Sequence, residues 1–148
     1  MHFTKHLLLL FLLILTVTMA TSQQKVAVYA IGKPGIEEYE RFAFWTKDGK
    51  RERIDYAYGK EGKEVKIQYI RKDLFKGDSC FVVRFVNNYQ LYVIPQGLTL
   101  KVIDGTGKYE KLFSWEYEGP VNGIGTFCTV CAEDEMDAMK IIKASYLK

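Results

Sequence analysis

Cys128-Thr-Val-Cys131 is the spacing in this chain that most openly suggests chemistry. Two thiols separated by two residues can work as a redox dithiol when the first thiolate is stabilised at a helix N-terminus. Here Thr129 and Val130 are strand formers, and helical periodicity starts only near Glu133. Read as a strand over 126–131, the motif points its two cysteines to opposite faces, which hinders a local bond. The expectation is therefore a structural disulfide from one of them to Cys80, with the remaining thiol buried. A thiol-redox role for Cys128 and Cys131 is the alternative. Zinc would need a fourth ligand beside the three thiolates, and no histidine supplies it.

The only histidines are His2 and His6, both inside an N-terminal segment expected to be removed. A chain without imidazole cannot run Ser-His-Asp or Cys-His catalysis, nor build a histidine-containing metal site. Glu116 and Glu118 lie two apart on one strand face, and paired carboxylates can act as acid and base. That face reads as the solvent side. Gly119 to Gly125 is glycine-rich, but a phosphate-cradling loop needs a helix immediately after it, and a strand pattern follows. No catalytic residue, metal site or cofactor is expected.

The N-terminus has the three-part form of a secretory signal: mildly basic His2, Lys5 and His6, the apolar run Leu7 to Thr16, then Ala20-Thr21-Ser22. The apolar run is shorter than the roughly 20 residues a spanning helix needs. Residues 1–22 are assigned to the signal and 23–148 to one β-rich domain, secreted or periplasmic, with no membrane span after cleavage. Removing Lys5 takes the 21 basic residues to 20 against 18 acidic ones. A balance so close to neutral argues against a nucleic-acid binder. Charge is unevenly spread: residues 47–76 hold ten Lys/Arg and six Asp/Glu, whereas 110–139 hold seven Asp/Glu and only Lys111. Two solvated faces of one domain account for this.

The elements that would position these residues are strands. Phe81, Val83 and Phe85 form one apolar row, and Leu98, Leu100 and Val102 another, with Arg84, Thr99 and Lys101 on the opposite faces. Asn87-Asn88 turns the first of these strands into Tyr89 to Ile94, and Pro95-Gln-Gly turns that one into the next. Lys25 to Ile31 is apolar on both faces. Asp48-Gly49 marks a tight hairpin between 42–47 and 50–58, and Gly59 to Gly62 the following turn. Residues 71–78 read as a polar connection whose Leu74 and Phe75 plug one end of the sheet. Phe113, Trp115 and Tyr117 alternate within 111–118. From Glu133 the period changes to that of a helix, with Met136, Met139, Ile142 and Tyr146 as its apolar stripe, acids first and lysines last. A membrane-surface helix would want a basic polar face, and this one begins acidic.

The fold class is an all-β antiparallel meander of about eight or nine strands, barrel or two-sheet sandwich, with one C-terminal amphipathic helix packed on it. In strand count and closing helix it is similar to the lipocalin architecture, although the Gly-x-Trp signature of that family is missing near the first strand. Ten tyrosines, nine phenylalanines and two tryptophans are many for 148 residues. Trp45 lies opposite Phe42 and Phe44, on the face of Tyr39 and Ala43, and exposed aromatics there would mark a binding site. The expectation is a non-enzymatic exported or envelope-associated domain that holds a small apolar ligand, a glycan or a protein partner, with Trp45, Tyr39, Tyr56 and Tyr58 as binding residues. A structural or interaction protein with no ligand cavity is the alternative beside redox.

Overall fold

A computed structural model describes residues 22–117 and 128–148. Eight strands, β1 (Gln24–Ile31), β2 (Glu40–Lys47), β3 (Lys50–Tyr58), β4 (Lys63–Phe75), β5 (Asp78–Arg84), β6 (Gln90–Gln96), β7 (Thr99–Asp104) and β8 (Glu110–Trp115), form a closed antiparallel meander barrel. One helix, α1 (Glu135–Tyr146), follows. Among the described residues no helix is long and apolar enough to cross a membrane.

Alternation along each strand sends one row of side chains into the barrel. Ala27 and Tyr29 of β1, Phe42 and Phe44 of β2, Phe81 and Val83 of β5, and Phe113 of β8 share one buried cluster. Rings meet across the barrel: Phe44 lies 5.7 Å from Phe81, Phe42 5.0 Å from Phe113, and Tyr56 5.2 Å from Phe85, between ring centroids. The interior is therefore packed with aromatic side chains.

Up-and-down topology places the start of β1, the turns after β2, β4 and β6, and α1 at one mouth. The turns after β1, β3, β5 and β7 lie at the other. At the first mouth, Asp48 and Gly49 both have positive φ, 52° and 74°, the conformation a tight hairpin requires and that Asp-Gly accepts. Asp134 caps α1 by accepting from the Asp137 amide at 2.8 Å, while the Asp137 carboxylate accepts from the Glu133 amide at 3.0 Å. Ala138, Met139, Ile142 and Tyr146 of α1 are buried against the barrel.

Several expectations are corrected. Residues 71–75 continue β4, which pairs with β3 through Ile67 and with β5 from Gln68 onward; Lys76 and Gly77 make the turn. Leu74 is 64% exposed, so it plugs nothing. Pro95 lies within β6, opposite Leu100, next to the strand end where a missing amide costs little. Leu98 sits in the turn and is exposed, and Met136 is 72% exposed, outside the buried stripe of α1. Glu118 and the glycine-rich 119–125 lie outside the described residues, as do 126 and 127 of the expected last strand.

Candidate binding groove

Residues 128–131 form a turn and a single parallel bridge to β1, where Val26 donates to the Val130 carbonyl at 2.8 Å and accepts from Ala132 at 2.9 Å. The turn brings Cys128 and Cys131 to a Cα separation of 5.3 Å and they form a disulfide. The expected Cys80 bond is thus overturned. Alternation across a strand would have separated the pair, but a turn does not alternate. Cys80 is a free, fully buried thiol. Burial, followed by the nearby Asp73 charge, pushes its pKa up to about 11, so it stays protonated and unreactive at neutral pH.

The disulfide turn covers the outer face of β1 and β2. Val26, Val28, Ala43 and Cys131 form a second apolar cluster there, with Trp45, Cys128 and Val130 packed against it. Trp45 thus belongs to a second apolar layer outside the barrel. Beside it opens a groove of about 540 Å³, lined among others by Tyr39, Arg41, Trp45, Arg53, Asp55, Glu64, Glu116 and Tyr117.

Strand register fixes this constellation. Arg41, Ala43 and Trp45 are outward residues of β2, and Arg53 lies opposite Trp45 on β3. The Arg53 guanidinium stacks 4.1 Å over the Trp45 ring and bonds the Asp55 carboxylate at 3.2 Å. Arg41 bonds Glu64 of β4 at 2.9 Å. The Tyr39 hydroxyl donates to Glu116 at 3.4 Å. Among the described residues the buried indole N–H of Trp45 has no acceptor. A register shift between Trp45 and Thr46 breaks the β2–β3 ladder at this point. The Tyr146 hydroxyl reaches there from inside, 2.7 Å from the Trp45 carbonyl and 3.2 Å from that of Arg53. The helix tip therefore holds the backbone of two groove residues.

Only two of the four expected binding residues meet here. Tyr39 and Trp45 line the groove, whereas Tyr56 points into the far mouth of the barrel and Tyr58 stacks on it at 5.7 Å. Tyr56 instead serves a buried carboxylate that the sequence reading missed. Glu40 accepts from Tyr56 at 2.9 Å and from Tyr109 at 2.5 Å, and pairs with Lys111. Burial, reinforced by Glu40, holds the pKa of Tyr56 and Tyr109 above the ordinary phenol range. The signal was present: Glu40 is in phase with Phe42 and Phe44, hence inward. The groove's arginines and carboxylates were not findable this way, because they read as ordinary outward charges.

No family model, curated protein or solved structure matches the chain.

Proposed function

We propose that the protein is an exported, non-enzymatic binding domain that holds a neutral polar ligand of the glycan class in the outer groove. The observation that carries this reading is the contrast between a barrel interior packed ring against ring and an open groove of aromatics beside charged pairs. With the interior filled, a small apolar ligand has no place at the barrel axis. Two arginines face three carboxylates across the groove, so no single charge dominates it. Paired guanidinium and carboxylate groups offer fixed donors and acceptors of the kind that neighbouring hydroxyls satisfy. Tyr117, 43% exposed, adds ring surface for the apolar face of a sugar, beside the Arg53-capped Trp45 and the buried Tyr39.

The test is a titration with a panel of neutral oligosaccharides, read by calorimetry and by Trp45 fluorescence in a Trp115→Phe background. Arg53→Gln and Trp45→Ala are expected to weaken binding at least tenfold while Tyr58→Ala leaves it unchanged. Binding that ignores both groove substitutions, or the absence of binding across the panel, rejects the reading.

A thiol-redox function has one observation in its favour, the local Cys128–Cys131 bond. Its discriminator is the reduction potential. A value near those of dithiol oxidoreductases supports redox, and one below about −300 mV marks a structural bond.

A further inference from the structure

The mouth of the barrel that α1 covers carries a second surface, separate from the groove and independent of its reading. Between α1 and the β6–β7 turn lies a shallow indentation of about 530 Å³, lined by Leu98, Met136, Met139, Ala144 and three lysines, Lys140, Lys143 and Lys148. Among the described residues no carboxylate lines it. The acids of the helix, Glu133, Asp134, Glu135 and Asp137, are confined to its start, where Asp134 and Asp137 are engaged in capping. The sequence already sets acids first and lysines last; the structure adds that Lys140, Lys143 and Lys148 border one indentation beside Leu98 and Met136.

Three large apolar side chains at this mouth stand in solvent: Met136 is 72% exposed, Leu98 41%, and Leu74, beside the β4–β5 turn, 64%. The chain also arrives at the barrel here. Gln23 is tied to Asp48 by its amide and its carbonyl, both at 2.8 Å.

We propose that this face docks on an anionic lipid surface, with Met136 and Leu98 entering the interface and the three lysines meeting headgroup phosphates. Protruding apolar tips ringed by lysines suit an interface, where the alkyl stems lie along apolar surface and the ammonium groups sit at headgroup level. Each lysine near such a surface contributes roughly fivefold to binding.

The experiment is co-sedimentation of the full chain with phosphatidylglycerol or phosphatidylcholine vesicles. Residues 1–22 are the same in every variant, so the ratio between the two lipids is the readout. The wild type is expected to favour phosphatidylglycerol by at least about tenfold at low salt, and to lose that preference at about 0.5 M salt. The triple change Lys140→Gln, Lys143→Gln, Lys148→Gln is expected to bring the ratio close to one. Met136→Gln should weaken binding severalfold yet keep the salt dependence. Circular dichroism and melting temperature confirm that each variant is folded. Equal binding to both lipids, no vesicle binding, or a preference that survives the triple change overturns the proposal. So does lysine-dependent binding of soluble polyglutamate without vesicle binding, which would assign the face to an acidic protein.

Discussion

At the mouth where the chain enters, a helix lies over the barrel and lowers Tyr146 among Phe44, Phe81 and Tyr69. At the opposite mouth the barrel is filled by its own strands, with Glu40 clasped by Tyr56, Tyr109 and Lys111. The first closure is apolar and borrows an element from outside the sheet. The second is polar and exists only because each hydroxyl and the ammonium find one carboxylate. Apolar packing degrades in proportion to what is removed, whereas a buried polar cluster fails as a unit when its centre is lost.

This contrast can be broken at either mouth. The largest expected effect is at the helix: Tyr146→Ala should cost about 4 kcal/mol, since it opens a cavity among aromatic rings and strips the Trp45 and Arg53 carbonyls of their donor. Denaturant unfolding measures it, and a loss below about 1 kcal/mol would show that the helix closes nothing. At the other mouth Glu40→Ala should cost about 3 kcal/mol by orphaning the Tyr56 and Tyr109 hydroxyls, while the 39% exposed Lys111 turns to water, and Tyr56→Phe should cost only about 1 kcal/mol. If the two substitutions cost the same, the cluster is not centred on Glu40. Replacing Cys128 and Cys131 by serine should cost about 2 kcal/mol, because the closed loop is short. The same change should shift the emission of Trp45, which packs beside the bond.

Alkaline pH tests the two mouths separately. Burial first of all holds Tyr29, Tyr56, Tyr109 and Tyr146 above the ordinary phenol value. A folded-state pKa above the unfolded one means the native chain keeps protons that the unfolded chain releases above about pH 10. Stability is then complete below about pH 10 and falls above it by about 1.4 kcal/mol per pH unit for each such tyrosine. Glu40→Gln removes a charge that opposes ionisation of Tyr56 and Tyr109 and leaves Tyr146 untouched. Tyrosinate absorbance in that variant should rise at lower pH for two phenols. A titration identical to the wild type would mean that Glu40 plays no electrostatic part.

The barrel was legible where one face is core and the other solvent: Phe42 and Phe44 against Arg41, or Leu100 and Val102 against Lys101. The helix was legible from its change of period and its ordered charges. The second half of β4 was not, because its side chains are mostly half or fully exposed and carry no apolar rhythm. Lys76-Gly77 was likewise hidden, since lysine at positive φ has no sequence signature, whereas Asp48-Gly49 has one. The disulfide was misassigned because Thr129 and Val130 favour strands, and tertiary contact with Val26 set a turn instead. In the groove Trp45 and Tyr39 were visible as aromatics on the wrong face for a core. The charged residues around them come from β2, β3, β4 and the residue after β8, and only the register of a closed barrel joins them.

The seam where the barrel closes has a consequence for how the chain is made. Among the described residues β1 meets β8 at Tyr29–Trp115 and Ala30–Ser114, Glu116 donates to the Val28 carbonyl at 2.9 Å, and Val26 pairs with Val130 and Ala132. The opening strand thus finds these neighbours only after residue 132 has been synthesised. Such long-range pairing is slow to form. If the chain is exported, as we propose, this order of pairing would leave the barrel seam unlocked until Val130 and Ala132 have followed β1 across.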